Sequence, residues 1–258
     1  MPLKKYLLIG GATLVAILLV AVGGIYAVLK FGVLPLRDGT QLGDDVVTVV
    51  TGDFGPVAIG AYVVKLADGG IALIDAGMDA NGTAIKRTLA RMGKAPVDVR
   101  AIFCTHGHND HATGALAFPA AATYVMPPDM ALVEAIRSPD GRRIVMTRLI
   151  YDGDRVDLAG TSLEVFGVPG HTAGSAAFLA QGVLFLGDSA ASISDGTLQA
   201  NTMLAEDANQ TERSLLSLAK RLSSRRAEIH HIAFAHQGPV EGLDPLLNWA
   251  STRSQSQR

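Results

Sequence analysis

The sequence predicts an α+β protein in which two β-sheets pack face to face with helices outside, preceded by one transmembrane helix. Two observations predict this class. Runs of apolar and β-branched residues alternate with turn signals and amphipathic segments, in two successive rounds along the chain. A long apolar segment without charge precedes both rounds. The 258 residues, 48% apolar and 18% charged, are enough for one sizeable core.

The apolar segment at residues 7–29 contains no charged side chain. About 20 apolar residues suffice to cross a bilayer as a helix, whereas a cleavable signal peptide has an apolar region of about 7–15 residues. We therefore expect residues 1–31 to form an uncleaved single-pass membrane anchor. The basic residues on its two sides are nearly balanced, and we expect the soluble part on the extracytoplasmic side.

The remaining chain divides into three segments by composition. Residues 32–45 are rich in Gly and Asp and are predicted to be a linker, residues 46–245 a folded domain, and residues 246–258 a polar C-terminal tail. The net charge of −2 and the scattered basic residues give no reason to expect a nucleic-acid partner. The one cysteine, Cys104, excludes an intrachain disulfide and is predicted to be a buried structural thiol. Nothing in the sequence indicates the oligomeric state.

The first round of elements consists mainly of strands. Strands are predicted at residues 46–51, 61–66, 71–74 and 97–105. The second and third flank Asp68-Gly69-Gly70 and are predicted to form a hairpin. Before the fourth strand, Ile85, Leu89 and Met92 share one helical face, and Gly93 is a helix stop signal.

The second round again alternates predicted strands, hairpins and helices. Strands are predicted at residues 123–126, 156–158, 163–166, 176–179, 183–186 and 231–235, and helices at residues 129–136 and 215–222. Gly160 and Gly182 mark the turns of two further hairpins. Periodicity alone does not choose among the α+β arrangements that these elements permit.

The stretch CTHGHNDHATG at residues 104–114 follows a predicted strand and contains four residues of types that commonly bind metals, three histidines and an aspartate. His106 and His108 are two residues apart, so in extended backbone both point to one side and are spaced to hold one metal ion. Asp110 and His111 follow where the chain turns and can face a second ion. Three of the seven histidines in the sequence lie here, which predicts a metal site.

Three more candidate ligands follow predicted strands in turns that contain glycine. They are His171 in Gly170-His171-Thr172, Asp188 in Leu186-Gly187-Asp188, and His236 in Ala235-His236-Gln237-Gly238. Each by itself is as typical of a hydrogen-bonded turn residue as of a ligand. Together with the first cluster they complete two coordination spheres.

These motifs resemble those of the metallo-β-lactamase-fold hydrolase superfamily, in its glyoxalase II and lactonase-like branch. Asp75-Ala76-Gly77, the His-x-His-x-Asp-His run, His171, Asp188 and His236 match the five motifs of that family in order. The resemblance extends from Val46 to Pro239. It implies a four-layer αβ/βα sandwich of two mixed sheets, with the active site at one edge between the two halves.

The resemblance also implies the role of each motif residue. His106, His108 and His171 would bind the first metal ion, Asp110, His111 and His236 the second, and Asp188 would bridge both, while Asp75 would orient the ligand loops without binding metal. Imidazole and carboxylate ligands favour two zinc ions, with iron or manganese as alternatives. Paired ions lower the pKa of a bridging water towards about 7, so hydroxide forms near neutral pH. The implied activity is hydrolysis of a small ester, thioester, lactone or related molecule, with Asp110 also acting in catalysis by orienting the nucleophile and passing its proton on.

Several alternatives stay open at this stage. A β-lactamase-type amide hydrolase is disfavoured, because class B1 enzymes carry a cysteine at the position of Asp188 and class B3 enzymes lack a bridging aspartate. The short stretch after His236 argues against glutathione thioesters, and Ala191 stands where many lactonases have tyrosine. A mononuclear iron persulfide dioxygenase-like oxidoreductase and a non-catalytic membrane-anchored binding module are the other interpretations. Metal analysis and the effect of substituting His108 distinguish them.

Overall fold

The computed structural model of the chain describes residues 32–256. In this part the chain forms two six-stranded sheets, a separate two-stranded hairpin and five α-helices. The predicted membrane anchor at residues 1–31 lies outside the described residues. Among residues 32–256, no helix has both the length and the apolar character needed to cross a bilayer.

The first sheet contains the six N-terminal strands in chain order. They are β1 (Val46–Phe54), β2 (Val57–Lys65), β3 (Ile71–Ile74), β4 (Val99–Phe103), β5 (Ala122–Val125) and β6 (Thr147–Leu149). The first three strands pair antiparallel, and β3 to β6 pair parallel. Three helices connect the parallel strands: α1 (Thr83–Arg91), α2 (Asn109–Ala112) and α3 (Met130–Ala135). The sheet is therefore mixed, as predicted.

The second sheet has the strand order β14-β13-β10-β9-β8-β7. Its strands are β7 (Arg155–Leu158), β8 (Thr161–Gly167), β9 (Ala176–Ala180), β10 (Val183–Phe185), β13 (His231–Ala233) and β14 (Val240–Glu241). In this sheet only the β10–β13 pair is parallel. The hairpin β11 (Ala190–Ser192) and β12 (Leu198–Ala200) follows β10, and the helices are α4 (Ala208–Leu222) and α5 (Asp244–Ser256).

Period-two alternation in the strands produces the layers. In β2, Tyr62 and Val64 face the second sheet, where Phe178 and Phe185 pack against them in a central core. Ala61 and Val63 of the same strand face the opposite side, in a core that includes residues of α1 to α3. A third core lies between the second sheet and the helices α4 and α5. The fold therefore has four layers, in the order helix, sheet, sheet, helix.

The predicted strands and helices occur with shifted boundaries, and α4 begins at Ala208 instead of residue 215. The ends of the domain also differ from prediction. Residues 246–256 are not a loose polar tail: they belong to α5, in which Leu246 is fully buried against the third core. Residues 32–45, predicted as a linker, lie on the domain, with Val33 bridged to Ile193 and Gln41 bridged to Val47. Sequence composition misses such packing because these segments bury few apolar residues each. Cys104 is fully buried, as predicted.

Candidate metal centre

The motif-bearing loops meet because the strands before them run in one direction. Strands β8, β10 and β13 of the second sheet are mutually parallel in direction, so their carboxyl ends share one edge. His171, Asp188 and His236 follow these three ends within a few residues. In the first sheet, β3 and β4 are parallel neighbours and carry Asp75 and the His106 motif at their carboxyl ends. The two edges lie together across the central core.

The His106 motif is a loop followed by a short helix. Strand β4 ends at Phe103, two residues before the predicted end, so His106 and His108 stand in a turn and not in the strand. The carbonyl of His108 accepts hydrogen bonds from the N–H groups of His111 and Ala112, both at 3.1 Å, which starts α2. This turn of helix brings Asp110 and His111 back towards His106.

The structure brings all seven predicted metal-ligand residues together. Three groups have ligand atoms that all lie within 4.8 Å of one another: His106-His108-His171, His106-His111-Asp188 and Asp110-His111-His236. The first and last contain the two ligand sets that the resemblance implies, and the middle one joins them through Asp188. Nδ1 of His108 lies 3.0 Å from Nε2 of His106 and 3.2 Å from Nε2 of His171.

Asp188 occupies the centre of this cluster. Its Oδ2 lies 3.2 Å from Nε2 of His236, 3.5 Å from Nε2 of His171 and 3.6 Å from Nε2 of His111. Oδ2 of Asp110 lies 3.4 Å from Nε2 of His236 and 3.5 Å from Nε2 of His111. One carboxylate oxygen therefore lies between histidines of both sets.

The donor atoms suit divalent metal ions. Nε2 of His111 and Oδ1 of Asp188 are buried polar atoms without a hydrogen-bond partner among the described residues. Buried atoms of this kind are costly unless a partner satisfies them, and a cation between them would do so. Imidazole and carboxylate donors in sets of three are typical of zinc sites with an open position. The residues present therefore fit a metal centre.

The charges of the cluster are strongly coupled. Burial and the neighbouring His111 hold the pKa of His106 well below its ordinary value. Burial lowers the pKa of His111, but the carboxylates of Asp188 and Asp75 outweigh burial and hold it well above the ordinary value. Burial raises the pKa of Asp188, yet the charges of His111 and His236 outweigh it and hold this pKa well below the usual range. Asp188 is therefore an anion surrounded by the imidazole rings of His111, His171 and His236.

Asp75 contacts the cluster from behind. Its carboxylate accepts hydrogen bonds from the N–H group of Thr105 at 2.7 Å and from Oγ1 of Thr105 at 2.8 Å, and its Oδ2 lies 2.9 Å from Nδ1 of His111. Asp75 itself has a left-handed backbone with φ 55°, followed by Gly77 with φ 75°. It belongs to none of the three ligand groups found among the described residues. This position agrees with the orienting role that the resemblance implies.

Sequence reasoning missed a second orienting carboxylate, Asp129. Only 1% of this residue is exposed, and its Oδ2 accepts hydrogen bonds from the N–H group of Gly107 at 2.7 Å and from Oγ1 of Thr172 at 2.8 Å. Its Oδ1 accepts one from the N–H group of Gly174 at 2.8 Å. Asp129 therefore connects the loop of His106 and His108 to the loop of His171. In the sequence, Asp129 was only the first residue of a predicted helix.

Comparison with known proteins finds hydroxyacylglutathione hydrolases among the relatives of this chain. A hydroxyacylglutathione hydrolase of Aeromonas hydrophila is 35% identical over 114 residues, which cover 43% of this chain and 41% of that protein. One of Vibrio cholerae is 27% identical over 177 residues, which cover 67% of this chain and 64% of that protein. The chain thus spans less than two thirds of the length of these relatives.

Solved structures with the same fold have low sequence identity. A metallo-beta-lactamase family protein from Thermus thermophilus superposes with a TM-score of 0.62 at 21% identity, over 84% of this chain and 80% of that one. BJP-1, a subclass B3 metallo-beta-lactamase of Bradyrhizobium japonicum, gives a TM-score of 0.58 at 21% identity, over 90% and 95%. At this identity the likeness shows the fold alone.

The sequence model of the metallo-beta-lactamase superfamily matches residues 54–226, which include most of both sheets and all the motif residues except His236. This match confirms the resemblance that the motifs indicate. The chain belongs to the metallo-beta-lactamase superfamily.

Proposed function

We propose that this protein is a dinuclear metal-dependent hydrolase that cleaves an acyl ester, thioester or lactone. The observation that carries the proposal is the position of Asp188, whose Oδ2 lies within 3.6 Å of imidazole nitrogens from both histidine sets. A carboxylate between two histidine-rich sets is suited to bridge two cations. Asp188 lies in the loop after β10 of the second sheet and contacts His111, which follows β4 of the first sheet, so it connects the two halves of the fold.

Each residue has a defined task in this proposal. His106, His108 and His171 would hold the first ion, and Asp110, His111 and His236 the second. Two zinc ions bound there would supply Lewis acidity and a water of lowered pKa. Burial raises the pKa of Asp110, but the hydrogen bond and charge of His111 outweigh it and keep this carboxyl ionised. Asp110 is also partly exposed, so it can accept a proton from the attacking water and return it to the leaving group.

Two observations favour an acyl substrate over a β-lactam. The relatives named above are hydroxyacylglutathione hydrolases, whereas the β-lactamases share only the fold at 21% identity or less. Asp188 supplies a carboxylate at the centre of the cluster, the feature that the motif comparison found in the glyoxalase II branch. We retain the β-lactam amide as the second candidate, and the iron-dependent persulfide oxygenase as a third that metal analysis decides.

The membrane anchor belongs to this proposal as well. We infer from the uncharged residues 7–29 that the chain is held in a membrane by residues 1–31, with the hydrolase domain on the extracytoplasmic side. Carbonate extraction of membranes tests the anchoring, and protease protection of the domain in sealed spheroplasts and inverted vesicles tests the side. Release of the full chain by carbonate would contradict the anchor.

The decisive experiment measures metal content and hydrolysis on the same preparations. The full chain is expected to bind two zinc ions and to hydrolyse members of a panel of esters, thioesters and lactones. His108→Ala should lose part of the metal and at least about a hundredfold in kcat/KM, whereas the exposed His230→Ala should retain both. One iron per chain with oxygen consumption, or hydrolysis that His108→Ala leaves unchanged, would overturn the proposal.

A further inference from the structure

A cavity of about 490 Å³ opens beside His236. This volume lies within the range of about 300–1,000 Å³ that is usual for ligand pockets. Its walls include the segment 33–36, Pro56 of the β1–β2 turn, and Val57 and Ala58 at the start of β2. Because His236 belongs to a candidate ligand group, the cavity adjoins the metal centre.

The segment 32–36 is fixed in place as one wall. The N–H group of Gly238 donates to the carbonyl of Leu34 at 2.7 Å, and that of Ser194 donates to the carbonyl of Gly32 at 3.1 Å. Leu36 packs tightly against Gly60: a Cβ added at Gly60 would lie 2.7 Å from Cδ2 of Leu36. This wall is therefore fixed by backbone hydrogen bonds from the β11–β12 turn and from the loop that carries His236.

His236 connects the cavity to the reaction centre. Its Nδ1 donates a hydrogen bond to the carbonyl of Ala58, a lining residue, at 2.7 Å. Its Nε2 faces the other way, 3.2 Å from Oδ2 of Asp188. A molecule whose carbonyl lies against the metal centre would thus extend its adjoining chain past Ala58 and Val57.

The lining is apolar and carries no formal charge of either sign apart from the imidazole. Seven of its ten residues are Val, Leu, Pro or Ala, and the other three are Ser194, His236 and Gln237. A peptide-like carrier such as glutathione has two carboxylates and an ammonium group, and this lining offers them no charged partner. A hydrocarbon chain loses nothing there and gains free energy with each buried methylene.

We propose that this cavity binds the acyl chain of the substrate, so that the protein hydrolyses amphiphilic acyl compounds in preference to short-chain ones. This inference rests on the proposed function and names its substrate class. The predicted anchor agrees with it, because Leu29 precedes Gly32 by three residues, a span of at most about 11 Å. The cavity would then open close to a bilayer surface, where amphiphiles concentrate.

Chain-length preference tests the proposal in the full chain, assayed in a non-ionic detergent. Hydrolysis of 4-nitrophenyl octanoate should exceed that of the butanoate at least about tenfold in kcat/KM, since each fully buried methylene contributes up to about fourfold. Val57→Asp should lower kcat/KM for the octanoate at least about fivefold more than kcat/KM for the butanoate, because the longer chain buries more methylenes against this wall. The matched control Val97→Asp, at a position 74% exposed and outside the cavity lining, should change neither rate. Equal effects of Val57→Asp on both esters would overturn the proposal.

A binding measurement separates this inference from the hydrolase activity. In a Val57→Cys variant, decanoate should slow the reaction of the new thiol with maleimide at least about fivefold, and acetate should not; Cys104 is buried and should stay unreactive. Val97→Cys should be unaffected by either acid. Protection without hydrolysis of any ester would support the acyl cavity and overturn the proposed activity. Hydrolysis without chain-length preference and without protection would overturn the acyl cavity alone.

Discussion

Oδ2 of Asp75 lies 2.9 Å from Nδ1 of His111, and both side chains are almost fully buried. This contact determines which nitrogen of His111 faces the cluster: Nδ1 points to Asp75, so Nε2 points to Asp110 and Asp188. Carboxylates behind ligating histidines fix the tautomer and the orientation of the ring. Asp75 therefore controls a ligand of the second candidate metal ion and lies outside the ligand groups themselves.

Asp75→Asn should weaken metal binding at the second site by about ten- to a hundredfold, because the amide holds the His111 imidazole less well. Competition with a chromophoric chelator measures the two binding constants of the full chain. The exposed Asp44→Asn serves as the matched control and should leave both constants unchanged. An equal loss at both sites would show that Asp75 acts on general stability and not through His111.

Asp129→Asn should destabilise the metal-free protein by about 2–4 kcal/mol, because each carboxylate oxygen accepts from a backbone N–H group and the amide NH₂ that replaces one of them cannot accept. Urea unfolding measures the free energy of unfolding. Glu134→Gln, in α3 and exposed, makes the same chemical change and should cost little. If both variants had the same stability, Asp129 would not be what connects the His106 and His171 loops.

Gly114→Ala should destabilise the protein by about 3 kcal/mol or more. A Cβ at Gly114 would lie 1.9 Å from the carbonyl oxygen of Ala76, so the turn after α2 and the Asp75 turn would have to separate. At Gly52, by contrast, the nearest atom to a Cβ is 3.8 Å away, at Cδ1 of Ile59. Thermal unfolding of the two alanine variants should therefore differ, with Gly52→Ala close to the parent. Similar melting temperatures would contradict the close approach at Gly114.

Glu164 provides a pH-dependent contribution to stability. The Arg225 guanidinium donates two hydrogen bonds to the Glu164 carboxylate, at 2.7 and 2.8 Å, and these hold the pKa of Glu164 below its ordinary value. A carboxyl with a lowered folded-state pKa stabilises the protein above the unfolded pKa of about 4.3 and loses this contribution as pH falls through the folded value. Glu164→Gln should therefore lower the free energy of unfolding at pH 7, by about 1 kcal/mol or less for this partly exposed pair, and should have a smaller effect at pH 3.

Urea unfolding of Glu164→Gln and of the parent at both pH values checks this prediction. Glu134→Gln is again the matched control, because it removes an exposed carboxylate of the same type. A stability difference that grows as the pH falls would have the wrong sign for a lowered pKa. It would show that the Arg225 contact does not stabilise the ionised carboxyl.

The sequence by itself predicted ten of the fourteen strands and three of the five α-helices found in residues 32–256, and it predicted the seven clustered residues. The short strands β6, β11, β12 and β14 and the helices α2 and α5 were not predicted. Alternation of apolar residues is a local property, so the pattern alone assigns Tyr62 and Val64 to one face of β2 and Ala61 and Val63 to the other. The His106 to His111 run is also local. Its membership of a metal centre could be predicted from six consecutive positions, whereas His171, Asp188 and His236 needed the family resemblance to be joined to it.

Tertiary structure alone decided what depends on contacts between distant segments. Asp129 is an ordinary helix-start residue in sequence, and only the fold places its carboxylate between Gly107 and Gly174. The segment 32–36 is too short to have a periodicity, and only its contacts with Ser194 and Gly238 make it the wall of a cavity beside His236. Long-range hydrogen bonds and packing leave no periodic signal in the chain. The residues next to each partner in sequence do not reveal which distant residue it contacts.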